Sequence, residues 1–347
     1  MEQLHISFDL VDEILGEDIF SQQGILLLKK GIILSESHIL LLQNHKFGQT
    51  ISMEKKSTQK TLPLKSKNEN EYDDFTEYLA SEFQKIQDGF SLANIPVILK
   101  KFSALEEKTH NDIAITTLFQ KQSTAKNHLI QHSIHVGLLA SQIGKVLSYS
   151  RLQCQLLAQM GLLHDIGMLK ISQKISKKTD SLTTNEWEEI KSHPTIGYDL
   201  LKNVPYISPL ISQAALLHHE RVDGSGYPMK VNERKIHLLI QIISVADTFN
   251  AICSHRTYSS NQSYFTAVTE LMNEVHNNKL NPAIVIPFVR YIMRQHLRQQ
   301  VELDTGEIAE IIFIHENEPH QPLIKLNEEF IDLRKHPTMK IVKPGIM

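Results

Sequence analysis

Gly161-Leu-Leu-His-Asp-Ile-Gly167 is the most informative stretch of this 347-residue chain, because it ends an apolar helical run with an adjacent imidazole and carboxylate. Three further histidines and an aspartate follow along the chain, at His193, His218, His219 and Asp247. Imidazole nitrogens and carboxylate oxygens are ligands that iron, manganese and zinc accept, and these residues supply enough of them for a two-metal hydrolytic centre. The pattern therefore indicates an enzyme of phosphate chemistry.

Upstream of that stretch, helical spacing places two histidines on an inward-facing surface. His128 and His132 continue the apolar stripe of Val136, Leu139 and Ile143, so both side chains are expected to point the same way. An inward-facing histidine is more often a hydrogen-bonded core residue than a metal ligand. His132 alone is therefore only a weak indication of a metal site.

The indication becomes stronger when three helices are considered together. One helix delivers His164 and Asp165 at its C-terminal end, and a later apolar helix carries Asp247 within Ile242–Ala251. With His132, these residues offer four ligands from three helices. That number is enough to define one metal ion.

Composition and charge are those of an ordinary globular protein. The chain is 41% hydrophobic and 22% charged, with a net charge of -3 and a pI near 6.7. We therefore expect no long nucleic acid as a partner, although a local cationic pocket could still bind a small phosphate ligand. Cys154 and Cys253 lack disulfide or metal-type spacing, which predicts reduced thiols and a cytoplasmic location. Neither a signal peptide nor an apolar run of about 18 residues is present, so no membrane span is expected.

The segment pattern predicts a mainly α protein, with an all-helical catalytic domain flanked by small β-rich modules at the N- and C-terminal ends. Residues 1–55 contain short apolar runs and a helix start at Ser35, and residues 56–118 form a polar linker followed by connecting helices. Residues 119–300 keep a helical period, and residues 301–347 contain four short strand-like runs. The connecting helix between about Phe75 and Asp88 would either pair with a copy of itself or pack on the catalytic domain.

Four sequence motifs give the middle of the chain a family resemblance. They are His164-Asp-Ile-Gly167, Ile190-Lys-Ser-His-Pro-Thr-Ile-Gly197, Leu217-His-His-Glu-Arg-Val-Asp-Gly-Ser-Gly-Tyr-Pro228, and Val245-Ala-Asp-Thr-Phe-Asn-Ala251 with His255-Arg-Thr-Tyr258. Over roughly residues 120–300 the chain resembles the HD phosphohydrolase superfamily and its HD-GYP branch, the cyclic di-GMP phosphodiesterases. The third motif is the most specific of the four.

The resemblance implies two divalent transition-metal ions, with iron or manganese favoured and zinc or nickel left open. It implies that Asp165 bridges the ions, that His219 completes the outer part of the site, and that both act in catalysis. The implied metal ligands are His132, His164, Asp165, His193, His218, His219 and Asp247. Such an enzyme would hydrolyse cyclic di-GMP to pGpG, GMP or both through a hydroxide shared by the metals.

Substrate contacts are also implied by the resemblance. Gly224 and Gly226 would let a tight loop approach the ligand, and Tyr227 would offer its ring to a guanine or its hydroxyl to a phosphate. An ordinary turn with a packing tyrosine is the alternative. Arg256 would contact a phosphate or form a surface salt bridge. A cyclic dinucleotide is the expected ligand, and a second copy of the chain or a signalling protein stays open as a further partner.

Three positions depart from the family pattern. Met168 replaces a lysine that would contact phosphate, Ser259 replaces a basic residue, and His128 stands where three-metal members carry glutamate. Lys170 and Lys174 are close in sequence, but a shift of two residues changes the direction of a side chain, so neither can be assumed to replace the missing lysine. We therefore expect a two-metal site that keeps its metal ligands, while the missing cations weaken substrate affinity or rate. The alternatives are a cyclic di-GMP receptor that signals through its flanking modules, or a phosphohydrolase of another nucleotide.

Overall fold

The computed structural model forms two compact units, Met1–Leu64 and Lys65–Met347. Within them the structure describes residues 2–5, 10, 15–20, 26–32, 34, 38–39, 42, 50–53, 67–109, 128–176, 178, 180–254 and 264–345. The predicted fold class is confirmed, since the middle of the chain is helical and small sheets lie at both ends.

The first unit contains two small antiparallel sheets. Strand β1, Glu2–His5, pairs with β4, Thr50–Met53, and strand β2, Ile19–Phe20, pairs with β3, Leu26–Leu28. A small separate core lies within this unit, and it includes Leu15, Leu28, Leu34, Ile39, Leu42 and Ile51. The helix that we predict to start at Ser35 lies largely outside the described residues.

The second unit contains most of the helices, which pack around one core. They are α1 Lys67–Gln87, α2 Ile95–Thr109, α3 His128–Val146, α4 Arg151–Leu163, α5 Gln173–Ser176, α6 Thr184–Lys191, α7 His193–Leu201, α8 Pro209–Leu217, α9 Leu238–Ser254, α10 Tyr264–His276 and α11 Pro282–Arg294. Helix α3 packs against α4 and α9, while α7 packs against α8 and against the 3₁₀ segment Ile166–Lys170. No helix in the described ranges is both long and apolar enough to cross a bilayer.

Local capping fixes where two of these helices begin. At α4, the Ser150 hydroxyl accepts from the backbone N–H of Gln153, whose side chain accepts from the Ser150 N–H in return. Thr183 and Glu186 form the same reciprocal box at α6. Each box satisfies backbone donors that a helix start leaves unpaired. Because the start of α4 is fixed, its C-terminal end delivers His164 to a defined position.

The apolar stripe of helix α1 packs against other elements of the same chain. Tyr72, Phe75, Leu79 and Phe83 are buried in the core of the second unit, and α1 packs against α2, α3 and the 3₁₀ segment. This packing corresponds to one of the two alternatives that the sequence leaves open for this helix. Pairing of the chain with a second copy stays a prediction.

A five-stranded antiparallel sheet follows the helices, in the spatial order β8-β7-β6-β5-β9. Its strands are β5 Gln300–Leu303, β6 Ile308–Phe313, β7 Leu323–Leu326, β8 Glu329–Asp332 and β9 Ile341–Pro344. Sequence patterning predicts the first four strands but misses β9, which offers only two consecutive apolar residues before a Lys-Pro pair. The buried face of the sheet belongs to the same core as the helices. The domain boundary at residue 300 therefore stays a prediction.

Candidate metal centre

Helix ends position most of the candidate ligands. His164 is the C-cap residue of α4 and Asp165 follows it, while His218 is the C-cap residue of α8. His193 is the first residue of α7. His219 follows His218, and the remaining two lie inside helices, His132 on α3 and Asp247 on α9. The sequence thus brings residues far apart in the chain to one place.

The rings of three histidines are oriented by backbone carbonyl groups. Their Nδ1–H groups donate from His164 to Gly161 O at 2.7 Å, from His193 to Ile190 O at 2.7 Å, and from His218 to Ala214 O and Ala215 O at 3.0 Å. A neutral imidazole that donates through Nδ1 carries its lone pair on Nε2. Such outer hydrogen bonds fix the tautomer and the ring direction of metal-binding histidines.

The first group of ligand atoms surrounds the Nε2 atoms of His132 and His164, which lie 3.2 Å apart. Asp247 Oδ1 lies 3.2 Å from His132 Nε2 and 3.7 Å from His164 Nε2. Asp165 Oδ2 lies 3.6 Å and 3.8 Å from the same two nitrogens. The four residues that the sequence assigns to one metal therefore converge on one point.

The second group surrounds the other oxygen of Asp165. His193 Nε2 and His218 Nε2 lie 3.3 Å apart, and Asp165 Oδ1 is 3.1 Å from the first and 3.4 Å from the second. The ring of His219 belongs to this group, and its Nδ1 lies 3.9 Å from Asp247 Oδ2. Asp165 is thus common to both groups, with one oxygen facing each.

The electrostatics of the centre favour charged carboxylates. Burial opposes ionisation of Asp165, but attraction to His164 and contacts with His193 outweigh it and hold the pKa of Asp165 well below its usual value. Burial is also outweighed at Asp247, where contacts with His132 and His164 lower the pKa. Conversely, burial works against protonation of His164, yet the two carboxylates raise its pKa to about 9. The carboxylate pair therefore draws positive charge into the centre.

These contacts fit bound cations better than protein hydrogen bonds alone. Nitrogen lone pairs that face one another at 3.3 Å, as between His193 and His218, repel unless a positive group lies between them. Asp165 Oδ1 is buried and has no hydrogen-bond partner among the described residues. A buried acceptor without a partner is costly, and a coordinated metal ion would satisfy it. The donor set therefore suits divalent transition metals.

The loop that follows His218 and His219 lies against the centre. The Tyr227 ring stacks on the His219 ring with centroids 4.6 Å apart and planes 27° apart. Gly224 has φ of +81°, which suits a residue without a Cβ, and Gly226 is buried against its neighbours. Burial lowers the pKa of His219 well below its usual value and raises the pKa of Tyr227. Gly226 and Tyr227 of the substrate prediction thus lie beside His219, while the nearest neighbours of Gly224 are Lys230 and Asn232.

Two of the three positions that depart from the family pattern, His128 and Met168, lie in the described part of the chain. The His128 ring stacks nearly parallel on His132, 6.2 Å between centroids, and it joins neither ligand group among the described residues. Met168 is partly buried, and the exposed Lys174 lies on α5. Lys170 Nζ donates to Ile86 O at 2.6 Å, at the end of α1. Lys170 is therefore engaged away from the centre. Residues 255–263, which include the predicted Arg256 contact and Ser259, lie outside the described part of the chain.

Two residues in the quoted motifs have positions that sequence reasoning missed. The Asn250 amide lies 2.7 Å from His132 Nδ1, and Glu220 is buried beneath the Tyr227 loop. Asn250 follows Asp247 by one helical turn, so helical spacing on α9 could have identified it. The Asn250 Oδ1 atom has no hydrogen-bond partner in the described residues. Turning the amide by 180° would let this oxygen accept from His132 Nδ1–H, which leaves Nε2 free to bind a metal.

The part of the chain that contains the ligand groups matches a known domain family. Residues 118–284 match the family model of the HD domain. The chain is 30% identical over 206 residues to the cyclic di-GMP phosphodiesterase PdeB of Borreliella burgdorferi, covering 59% of this chain and 54% of that protein. It is 33% identical over 192 residues to a cyclic di-GMP phosphodiesterase of Thermotoga maritima, covering 54% of this chain and 51% of that one. The chain thus spans about half the length of these curated relatives.

A solved structure shares the fold over most of the chain. Bd1817, an HDG"Y"P protein from Bdellovibrio bacteriovorus, superposes with a TM-score of 0.56 at 15% identity, covering 84% of this chain and 99% of that one. The solved structure shows the fold alone, and the family model covers the residues that form the two ligand groups. Residues 118–284 of this chain therefore match an HD domain, and about half of the chain is similar to cyclic di-GMP phosphodiesterases.

Proposed function

We propose that this chain is a metal-dependent phosphodiesterase that hydrolyses cyclic di-GMP. The observation that carries the proposal is the pair of ligand groups that share Asp165, one oxygen of which faces His132 and His164 while the other faces His193 and His218. The names of the sequence relatives support cyclic di-GMP as the substrate. The products are proposed to be pGpG, GMP or both.

The residues of the centre have different roles in the proposed reaction. Two divalent cations in this site, with iron or manganese favoured, would activate water and neutralise charge on a phosphodiester under in-line attack. Asp165 and Asp247 hold the negative charge that binds them, and the carbonyl-bound histidines keep their Nε2 atoms directed inward. His219 completes the outer edge of the site. Tyr227, stacked on His219, presents a wall for a guanine base or a phosphate. A phosphate contact by Arg256 and a cytoplasmic location stay predictions.

A single assay tests this proposal. The metal-loaded protein is incubated with cyclic di-GMP, and bound nucleotide and released products are quantified separately. We expect cleavage that is lost in His193→Ala and retained in His336→Ala, since His336 is exposed on the C-terminal sheet region. A cyclic dinucleotide with other bases serves as the substrate control. If the protein neither binds nor cleaves cyclic di-GMP but cleaves the control, the substrate assignment is wrong.

A second candidate is a cyclic di-GMP receptor with little or no turnover. Met168 supplies no charge at the position of the usual lysine, and Lys170 donates to the end of α1 instead. Restoring a cation with Met168→Lys should raise hydrolysis or nucleotide affinity if the missing charge limits either one. Binding without cleavage in the unmodified protein would favour the receptor.

A further inference from the structure

Glu220 is a buried carboxylate directed toward the loop that carries Tyr227. Glu220 is only 2% exposed. Oε1 accepts backbone N–H groups from Met229 at 2.6 Å and Lys230 at 3.0 Å, and Oε2 accepts from Val231 at 3.1 Å. One carboxylate thus satisfies three consecutive backbone donors.

The same loop is closed at its base and packed from its other side. The Glu233 N–H donates to Val222 O at 3.0 Å, which joins the two ends of the loop. A Cβ on Gly226 would collide with Glu220 Cα and with His219 O, so the loop backbone lies directly on the residues that follow His218. The Tyr227 N–H donates to His219 O at 3.3 Å. These contacts hold the Tyr227 ring against His219.

We propose that Glu220 is a positioning residue that latches the 222–233 loop over the metal centre and thereby sets the place of Tyr227 in the substrate pocket. The latch is a feature of the folded chain, and its effect on substrate binding rests on the proposed function. Hydrogen bonds that a carboxylate accepts from backbone N–H groups are stronger than those between neutral groups. Removing the acceptor deprives three backbone N–H groups of their partner, so the loop is expected to leave its place.

Glu220→Gln tests the latch, because it preserves the size of the side chain and replaces one acceptor oxygen by a donor group. Hydrogen exchange of the 222–233 segment is measured on metal-loaded protein without nucleotide. We expect exchange at Met229 and Val231 to accelerate by about tenfold or more in the variant, with metal content unchanged. Glu233→Gln is the matched control, since its exposed carboxylate lies at the end of the same loop, and it should exchange like the unmodified protein.

Kinetics then test the effect on the pocket. Displacing Tyr227 removes contacts that substrate makes in both ground and transition states, so KM for cyclic di-GMP should rise about tenfold while kcat changes little. Gly226→Ala displaces the loop because its Cβ would collide with the backbone of residues 219 and 220, and it retains the Glu220 carboxylate. It should produce the same rise in KM, which keeps the proposal testable if Glu220→Gln folds poorly.

The outcomes separate the latch from the proposed function. Unchanged exchange in Glu220→Gln overturns the latch, and so does loss of metal together with faster exchange, because Glu220 would then act on the metal centre. Faster exchange with an unchanged KM overturns the role in substrate positioning. If the unmodified protein neither binds nor cleaves cyclic di-GMP, the proposed function fails, while the exchange result still decides the latch.

Discussion

At the scale of single residues, Asp165 is the residue on which the arrangement depends most. Its two oxygens face different groups of histidines, and the one nearer His193 has no hydrogen-bond partner among the described residues. Without a cation, four imidazole nitrogens surround this carboxylate in contacts that include two close pairs of nitrogens. This crowding around one carboxylate is the physical reason to expect two ions that depend on the same side chain.

Asp165→Ala should therefore lose both metal ions rather than one. Removing a shared carboxylate leaves each ion with fewer ligands and with less negative charge to offset its own. Elemental analysis of the purified variant provides the measurement, and Asp199→Ala, at an exposed ion pair with Lys202, is the control. Normal metal content in Asp165→Ala would contradict a shared ligand.

Asn250→Ala should weaken metal binding without abolishing it. The Asn250 amide fixes the direction of the His132 ring, and outer hydrogen bonds of this kind are worth about 10- to 100-fold in metal affinity. Asn250→Asp keeps an acceptor for His132 Nδ1–H and should retain affinity. Competition with a chelator measures both variants. An Asn250→Ala protein with full affinity would mean that the packing of α3 alone orients His132.

At the scale of elements, the close approach of α7 to the 3₁₀ segment joins the two halves of the centre. A Cβ on Gly167 would fall onto His193 O and would lie 2.7 Å from Gly197 N. Since His193 opens α7 and Asp165 precedes the 3₁₀ segment, this approach sets the distance between them.

Gly167→Ala is expected to push α7 away and to lower the free energy of unfolding by about 1–3 kcal/mol. The His193 and His218 group should lose its metal before the His132 group does, because only the former includes a residue of α7. Metal titration combined with denaturant unfolding measures both effects. Equal loss from the two groups would show that the displacement is not confined to α7.

Lys170 belongs to the packing of α1 rather than to the centre. Its ammonium group donates to the last carbonyls of that helix, where a cation also interacts favourably with the helix dipole. Lys170→Ala should lower the free energy of unfolding by about 1 kcal/mol with KM unchanged. Lys174→Ala, at an exposed position four residues further on, is the matched control and should change neither. A large rise in KM for Lys170→Ala alone would place this lysine in the substrate site.

At the scale of the whole molecule, periodicity and motifs predict the helical domain, both β-rich ends and the convergence of the candidate ligands. Helical spacing predicts that His132 and Asp247 face the core, because a residue on an apolar stripe lies on the buried side of its helix. Spacing is not sufficient for Lys170, whose partners lie at the end of α1, or for Glu220, whose partners are backbone groups of the loop that follows it. Strand β9 is missed for a similar reason, since pairing with β5 stabilises a segment of little intrinsic preference.

The metal content of the unmodified chain tests the central claim most directly. Protein purified without chelators is analysed for transition metals by mass spectrometry, and its concentration is determined independently. The shared-carboxylate centre predicts about two ions per chain, in agreement with two ligand groups joined through Asp165. A chain that binds no transition metal, even when it is folded and supplied with iron and manganese, would contradict the account.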